Sequence, residues 1–402
     1  MAPERWLPFL AAAFILGALL DLPILSAFSA ALAVLIVLVS FWHRHALDQV
    51  FYIRKPHYRK GFPGETLDVT VEVENRKFLP LSWLRVEDPW PHAVGPEDES
   101  VLAPSHLPDM GLLTNVFSLR WFERARRRYK LVLRKRGMYK LGPPRLQSGD
   151  LFGIYEDTRV GGSEEFLTVF PEILPLEKLG LEAEDPFGER ESRRRLFEDP
   201  TQPMGVRDYR PDDGFRRVHW PATARTGEMK VKIYQPVSAQ VTVICLNVAT
   251  FEIAWEGYNP ELLEALISTA ATLAYHGIED GYQVGLISNG CLAHSDQSFR
   301  IPPGRSPQQL GKLLGVLAAV TPLVTAPFET FLLREMPRVH YGASLAIVTA
   351  SIYPALIETL LDLKRRGRLI TVLNLGEPVE ELIPGIKMIN LDVARAAKRE
   401  AA

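Results

Sequence analysis

Cysteine is nearly absent from this chain, which has only Cys245 and Cys291 among its 402 residues. Two cysteines cannot supply the disulfide framework of a small secreted domain, and free thiols suit a reducing compartment. Net charge is nearly absent as well, because 46 lysine and arginine residues stand against 48 aspartate and glutamate residues. A chain so close to neutral has no global attraction to nucleic acid or to acidic substrates. We therefore expect a reducing environment and no nucleic-acid partner.

The common enzyme signatures are missing too. The sequence contains no phosphate-binding glycine-rich loop, no His-Glu-x-x-His motif, no Gly-x-Ser-x-Gly elbow and no paired-cysteine metal spacing. Internal repeats and low-complexity tracts are also lacking. We therefore nominate no catalytic residue and no cofactor, and we expect the protein to work by binding other proteins.

Long uncharged runs are present at the N-terminus. Trp6–Leu20 spans 15 residues without a charge, and Leu22–Trp42 spans 21. Because a helix needs about 20 apolar residues to cross the hydrocarbon core, the second run is long enough and the first depends on its flanks. Only Asp21, helped by Pro23, separates them. Residues 1–45 are therefore predicted to form a transmembrane helical hairpin.

The charges that flank the hairpin predict its orientation. Arg5 precedes it, and five basic residues follow it: Arg44, Arg54, Lys55, Arg59 and Lys60. Basic residues favour the cytoplasmic side, so both termini are expected in the cytoplasm, with the hairpin in the inner membrane. The alternative is a signal peptide cleaved near Ala27–Ala30. Cleavage there would leave a chain that begins with the almost wholly apolar Ala31–Trp42.

Residues 46–175 have the alternating pattern of a β domain. Apolar and polar residues alternate through Thr66–Glu74, which predicts a half-buried strand with these residues inward: Leu67, Val69, Val71 and Val73. Short strands interrupted by Gly and Pro predict an antiparallel β-sandwich. Arg120–Arg136 contains nine basic residues and one Glu. This run suits either contact with anionic lipid headgroups or a solvated strand face, and the two interpretations are compatible.

Residues 176–235 join a charged linker, Glu182–Glu198, to the most distinctive stretch of the chain, residues 206–234. The basic and aromatic residues of this stretch are Arg207, Arg210, Arg216, Arg217, Arg225, Tyr209, Trp220 and Tyr234, and its acids are Asp208, Asp212, Asp213 and Glu228. Binding of single-stranded nucleic acid is disfavoured because the acids would repel phosphates. A hydrolytic pair of His219 with an Asp has no recognisable nucleophile. The favoured hypothesis is a structural belt, with Trp220 buried and Arg225 paired with a carboxylate such as Asp213.

This stretch resembles a bacterial membrane protein family known as domain of unknown function fifty-eight. The resemblance depends on Arg207, Tyr209, Pro211, Asp213, Arg216–Trp220, Thr223–Arg225, Gly227, Val231, Lys232 and Tyr234, and upstream on Arg136–Pro143, Gly149–Gly153 and Val169–Pro171. It extends over nearly the whole chain. Three positions depart from the family pattern, which would have Gly at Asp212, an acid at Gly214 and Glu at Gln235.

Residues 236–402 alternate between strand and helix patterns, which predicts a doubly wound α/β domain with a parallel sheet. The predicted strands are Val241–Val248, Gln283–Ser288, Ser344–Thr349 and Leu369–Asn374, and the helices are 260–276, Pro307–Val320, Pro327–Met336 and Pro354–Arg366. Cys245 lies in the first strand and is expected to be a small core residue.

The resemblance implies that this domain is von Willebrand factor A-like. Such domains can hold a divalent cation on an Asp-x-Ser-x-Ser loop after the first strand, since Mg²⁺ prefers hard oxygen ligands. Here Asn247 replaces the carboxylate, and Ala249 and Phe251 replace the hydroxyls. Thr250 and Ser351 are the only candidate remnants. We therefore expect a degenerate corner that binds no metal.

The resemblance also implies partners. Proteins of this family commonly accompany a MoxR-type AAA+ ATPase, and sometimes a transglutaminase-like membrane protein. The resulting hypothesis is a membrane-anchored, cytoplasm-facing adaptor rather than an enzyme. The alternative is a cation-dependent ligand-binding protein or enzyme that uses the carboxyl edge of the α/β sheet. Acidic residues that converge on Asn247 and Ser351 would favour the alternative.

Overall fold

A computed structural model describes residues 3–149, 156–179, 197–211, 213–215, 218–237, 241–252, 257–293, 295, 297–378 and 383–391. The chain divides into two compact units, Met1–Phe170 and Pro171–Ala402. Most of the predicted linker Glu182–Glu198 lies outside the described residues. Each unit is considered by itself below.

The first unit begins with two helices, α1 (Leu7–Leu19) and α2 (Pro23–His45). Asp21 lies in the turn between them with a positive φ of 48°, a conformation that Asp tolerates better than most residues. Within α2, Pro23–Trp42 is long and apolar enough to cross a membrane by length and composition, and α1 is shorter. The described part of the chain thus has one candidate membrane-spanning helix.

The strands of the first unit are short and mostly antiparallel. Their bounds are β1 (Val50–Pro56), β2 (Lys60–Gly61), β3 (Thr66–Asn75), β4 (Leu81–Pro91), β5 (Leu102–Pro104), β6 (Met110–Leu119), β7 (Arg124–Val132), β8 (Gly137–Leu141), β9 (Arg145–Gly149), β10 (Glu156–Val160) and β11 (Glu165–Val169). Over the described residues they form three sheets, ordered β1-β3-β7, β10-β9-β4-β6-β5 and β2-β11-β8. Only β2 and β11 pair in parallel among these strands.

One hydrophobic core joins the three sheets of this unit. The predicted inward residues of β3 are all buried, and Trp90 on β4 is completely enclosed. Ala46 and Leu47, which directly follow α2, belong to the same core, and Trp42 from the last turn of α2 packs against it. The end of α2 is therefore part of the β domain.

The second unit contains a two-stranded ribbon and a large sheet. Its elements are β12 (Phe197–Asp208), α3 (Trp220–Thr226), β13 (Lys230–Val237), β14 (Val241–Leu246), α4 (Pro260–Glu279), β15 (Gln283–Leu292), β16 (Ser298–Gly304), α5 (Pro307–Ala319), β17 (Val320–Val324), α6 (Phe328–Glu335), β18 (Ser344–Thr349), α7 (Pro354–Arg365), β19 (Leu369–Asn374) and β20 (Lys387–Asn390). β12 pairs with β13, and the large sheet has the order β16-β15-β14-β18-β19-β20, with β17 beside β15.

The large sheet is parallel except for β16 and β17, which pair antiparallel with β15. The helices lie against it, with α4 contacting β14 and β15, and α7 contacting β19. Alternate residues of β14 point to opposite faces, and Val243 and Cys245 pack in the core beneath α6 and α7. Cys245 is a core residue as predicted, and burial raises the pKa of its thiol.

Candidate functional site

The distinctive stretch of the sequence folds as a ribbon with a short helix inserted between its strands. We call β12, α3, β13 and their connecting residues the signature module. In the ribbon, Asp208 lies opposite Lys230 and Arg207 opposite Val231. Val218 forms a further bridge to Val231, and both valines are buried. Among the side chains of the module that the structure describes, these two valines are the buried ones.

A bidentate ion pair closes the loop that follows β12. The two terminal nitrogens of Arg207 donate to the two carboxylate oxygens of Asp213, each at 2.6 Å. The backbone N–H of Arg210 donates to the same carboxylate at 2.9 Å. Because a guanidinium fork matches a carboxylate in geometry as well as charge, this contact fixes the loop more tightly than a single bond would.

His219 begins α3 and caps it. Its Nδ1 accepts a hydrogen bond from the backbone N–H of Ala222 at 3.0 Å, which satisfies one of the free donors of the first helical turn. Thr223 Oγ1 accepts from the backbone N–H of Lys230, which joins the helix to β13. Gly227 ends the helix at a φ of +76°, where a side chain would be strained. His219 thus serves local structure, and its Nδ1 is occupied.

Trp220 is not buried, which makes our prediction wrong. Its side chain is 64% exposed, and that of Phe215 is 69% exposed. The short helix α3 has only seven residues and none of them is buried, whereas Val218, which precedes it, and Val231, which follows it, are buried. Tyr209 is half-buried and lies 6.0 Å from the ring of Phe215. The module therefore displays aromatic surface.

The predicted partner of Arg225 is also wrong, because Arg207 pairs with Asp213 and Arg225 is exposed. Lys230 instead donates to Asp208 and Glu228, and the hydrogen bond from Lys230 lowers the pKa of Asp208. Tyr234 lies on β13 opposite Pro203. Three residues of the predicted set, Asp212, Arg216 and Arg217, lie outside the described residues.

Neutral amides occupy the carboxyl edge of the large sheet. Asn247 follows β14 and donates from Nδ2 to Thr349 Oγ1, at the end of β18, at 3.0 Å. Its Oδ1 accepts from Asn289 Nδ2 at 3.0 Å and from the backbone N–H of Ala249 at 3.1 Å. Farther along the edge, Asn374 donates to Asn390 at 3.0 Å. The edge is thus bridged by hydrogen bonds between uncharged side chains.

The side chain of Asn247 has no free acceptor for a cation, because an amide oxygen has two lone pairs and both receive hydrogen bonds. Asn247 itself is completely buried. Over the described residues, no group of three or more His, Cys, Asp or Glu side chains is placed to hold a metal ion. Thr250 Oγ1 accepts from the backbone N–H of Asn259 and so anchors the start of α4, and the backbone N–H of Ser351 bonds to Thr349.

Two features flank this edge. A pocket of about 230 Å³ lies beside it, lined by Ala249, Thr250, Phe251, Gly257, Tyr258, Pro322, Leu323 and Val324. The hydroxyl of Tyr353, which follows β18, donates to Glu329 of α6 at 2.5 Å. Burial, followed by this hydrogen bond to Glu329, raises the pKa of Tyr353. Glu329 is therefore engaged with Tyr353.

The first unit holds a buried ion pair that sequence reasoning missed. Arg54 donates to both oxygens of Asp88, at 2.7 and 3.0 Å, and the hydroxyl of Tyr52 donates to the same carboxylate at 2.7 Å. All three side chains are buried. Burial, then the charge of Asp88, raises the pKa of Tyr52. Arg54, counted above as a basic flank of the hairpin, is in fact internal to the β domain.

The basic strand β7 is paired with carboxylates on the neighbouring strand β3. Arg124 contacts Glu72 at 2.8 Å and Glu74 at 2.9 Å, and Arg126 contacts Glu72 at 3.4 Å. Hydrogen bonds from Arg76 and Arg124 lower the pKa of Glu74 to about 2. Part of the positive charge of Arg120–Arg136 is therefore neutralised within the sheet.

Comparison with known proteins supports the sequence resemblance in part. A family model described as "Protein of unknown function DUF58" matches residues 205–399. The uncharacterized protein YeaD of Bacillus subtilis (strain 168) is 23% identical over 244 residues, which are 59% of this chain and 56% of that protein. The chain thus spans slightly more than half the length of this curated relative. The family match includes most of the signature module and the large sheet.

Solved structures resemble parts of the chain only weakly. A CARDB domain from Pyrococcus furiosus is 11% identical, with a TM-score of 0.21 over 30% of this chain and 91% of that chain. A non-cellulosomal cohesin from Archaeoglobus fulgidus is 11% identical, with a TM-score of 0.21 over 34% of this chain and 100% of that chain. Scores at this level establish neither a shared fold nor a shared function.

Proposed function

We propose that this protein is a membrane-anchored adaptor whose signature module docks a partner protein in the cytoplasm. The observation that carries the proposal is the exposure of Trp220 and Phe215 on a frame held by the Arg207–Asp213 pair and the His219 cap. Tryptophan and arginine dominate the binding energy of protein interfaces, and a rigid frame lowers the entropy cost of binding. Large aromatic side chains that served the core would have been buried.

The anchor in this proposal is a transmembrane hairpin of α1 and α2 in the inner membrane. Most apolar side chains of α2 are exposed, for example Ile24, Phe28, Val34 and Leu38, which suits lipid as their surroundings. A Cβ on Gly17 of α1 would lie 2.9 Å from the backbone nitrogen of Ser26 of α2, so the small residue permits close approach of the helices. Arg5 and Arg44 at the outer ends favour a cytoplasmic location for both termini.

The partner we propose is the MoxR-type AAA+ ATPase that the family resemblance implies, with a transglutaminase-like membrane protein as a further component. The α/β domain is proposed to be von Willebrand factor A-like. Its support is the sheet order, in which the first strand of the domain, β14, is central and is flanked by β15 and β18, the second and third parallel strands along the chain. The side chains bonded to Asn247, which are those of Thr349 and Asn289, are uncharged, and this favours docking over cation chemistry.

The test compares three alanine variants of the full-length protein purified in detergent from native membranes. Trp220→Ala and Phe215→Ala should leave the melting temperature unchanged and reduce co-purification of the ATPase at least severalfold. Tyr58→Ala removes an aromatic side chain that is also 64% exposed, in the first unit, and should change neither quantity. A lower melting temperature for Trp220→Ala, or undiminished capture of the ATPase, would contradict the proposal.

The anchor is tested separately by topology. A phosphatase reporter that is active only in the periplasm, fused after residue 402, should be inactive, and the same reporter inserted at Asp21 should be active. Activity of the C-terminal fusion would reject the cytoplasmic assignment and, with it, docking of the ATPase in the cytoplasm.

A second candidate function is the binding of a small ligand at the carboxyl edge of the large sheet. The pocket of about 230 Å³ beside Thr250 and Tyr258 favours it, because ligands of doubly wound sheets bind at this edge. The test is a small-molecule screen by thermal shift. Hits should lose their effect in Tyr258→Ala, and a screen without such hits would reject this candidate.

A further inference from the structure

Three exposed aromatic side chains form a tip on two loops of the first unit. We call Phe78, Trp121 and Phe122 the aromatic tip; Phe78 is 75% exposed, Trp121 56% and Phe122 66%. Phe78 lies between β3 and β4, and the other two lie between β6 and β7. The rings of Phe78 and Trp121 are stacked, with centroids 5.7 Å apart and planes 10° apart. Three large apolar rings in one exposed place call for an apolar neighbour.

Buried polar contacts hold the two loops together. Asn75, which is fully buried, donates from Nδ2 to the carbonyls of Leu79 at 3.0 Å and Arg120 at 2.9 Å. The backbone N–H of Phe122 donates to the carbonyl of Lys77 at 3.2 Å. Phe122 has a positive φ of 54°, which is strained for an aromatic residue. The chain thus keeps an unfavourable backbone conformation at a residue whose ring faces outward.

The aromatic tip is also joined to the end of α2. Lys77 directly precedes Phe78, and its Nζ donates to the carbonyls of Ala46 at 2.7 Å and Asp48 at 2.8 Å. The backbone N–H of Arg76 donates to the carbonyl of Gln49 at 3.0 Å. Since α2 ends at His45, the tip is fixed to the first residues beyond the apolar helix.

We propose that the aromatic tip inserts into the interfacial layer of the bilayer that α2 crosses. This inference rests on the membrane anchor of the proposed function. Tryptophan side chains concentrate at the level of the lipid headgroups, and α2 carries the exposed Phe41 at the same end. Arg44 and Arg120 have exposed side chains close in sequence to these aromatic residues and suit the phosphates of anionic lipids. The tip therefore acts as a second contact that sets the orientation of the β domain on the membrane.

Spin labels on the full-length protein in vesicles of phosphatidylethanolamine and phosphatidylglycerol test the proposal. Separate Phe78→Cys and Trp121→Cys variants report the tip, and Leu38→Cys reports the lipid-facing side of α2. Leu107→Cys is the aqueous control, because it precedes β6 and lies at the opposite end of that ten-residue strand from Trp121, roughly 30 Å away. The native cysteines are buried, and the unsubstituted protein gives their background signal.

The measured quantity is the accessibility of each label to oxygen relative to a water-soluble nickel chelate. Both tip labels should give a ratio severalfold above that of Leu107→Cys and below that of Leu38→Cys. If the tip labels give the same accessibility ratio as Leu107→Cys while Leu38→Cys gives the high ratio of a lipid-exposed label, the proposed insertion of the tip is wrong and the membrane anchor still holds. If Leu38→Cys gives the low ratio of a label in water, both the membrane anchor and the insertion of the tip are wrong. Quenching by brominated lipids, which should weaken in Trp121→Phe, provides a measurement that needs no cysteine.

Discussion

Arg207 and Asp213 meet through two hydrogen bonds of 2.6 Å each, and they thereby close a loop of the signature module. Arg207 keeps about a third of its side chain exposed, whereas Asp213 is nearly buried. The pair is thus accessible enough to border the proposed docking surface and enclosed enough to hold its shape.

The first prediction concerns this pair. Arg207→Lys keeps the charge but cannot form the planar, two-pronged contact with Asp213. The main loss is one charged hydrogen bond at a partly exposed site, so the free energy of unfolding should fall by about 1–2 kcal/mol. The measurement is the melting temperature of the full-length protein in detergent, which should fall by a few degrees. Arg225→Lys, an exposed change in the same module, should leave it unchanged. Equal melting temperatures for the two variants would show that the bidentate pair does not stabilise the protein.

The second prediction concerns the buried pair of the β domain. Asp88→Asn removes the charge that receives two hydrogen bonds from Arg54 and leaves the buried guanidinium with the more distant Glu165, at 3.9 Å. Breaking a buried ion pair by removing one partner costs about 3–5 kcal/mol. That loss is a large part of a typical domain's margin of roughly 5–15 kcal/mol. We expect sharply reduced abundance and melting temperature. Asp68→Asn, at an exposed position of β3, is the control and should behave like the native protein.

Much of the second unit could be predicted from sequence because its strands are continuous apolar runs between clear helix boundaries. Ser344–Thr349 and Leu369–Asn374 have the predicted bounds. β16 was not predicted, since Pro302 and Pro303 disfavour a strand, yet an antiparallel edge strand tolerates proline. β17 was not predicted either, because it directly follows α5 and its first residue, Val320, belongs to the predicted helix.

The sites were less predictable than the elements. The sequence shows charged residues around Trp220, but it does not show which side of a seven-residue helix packs against the rest of the protein. The exposure of Trp220 could therefore not be predicted. The Arg54–Asp88 pair joins residues 34 positions apart, so no local pattern signals it. By contrast, the sequence alone shows that Asn247 stands where a carboxylate would be expected. It does not show that Asn247 is hydrogen-bonded to Asn289 and Thr349.

The third prediction concerns acid pH. Hydrogen bonds from Arg76 and Arg124 hold the pKa of Glu74 at about 2, below its ordinary value of 4.5. Because the folded state binds this proton less readily, the contribution of Glu74 is present above pH 4.5 and is lost as the pH falls toward 2. The melting temperature of the native protein should therefore drop more steeply between pH 5 and pH 2.5 than that of Glu74→Gln. Parallel pH profiles would show that the pairs do not stabilise the fold.

The last prediction concerns Asn247. Asn247→Asp retains an acceptor for Ala249 and Asn289 but replaces the donor to Thr349 with a carboxylate oxygen, in a completely buried place. Burial without a cationic partner raises the pKa of a carboxyl group. Relative to the native protein, the variant's stability should then be greatest below pH 4 and should decline as the pH rises through the raised pKa, the opposite of the effect at Glu74.

The difference in melting temperature between Asn247→Asp and the native protein, followed from pH 3 to pH 8, measures this trend. Asn390→Asp is the matched control, because Asn390 is exposed and keeps the acceptor that Asn374 uses. Calorimetric titration with Mg²⁺ on the native protein should give no saturable heat, because both lone pairs of the Asn247 amide oxygen are occupied. A micromolar Mg²⁺ site in the native protein would show that the carboxyl edge rearranges to bind cations, and the amide network would then be the closed state of a cation site.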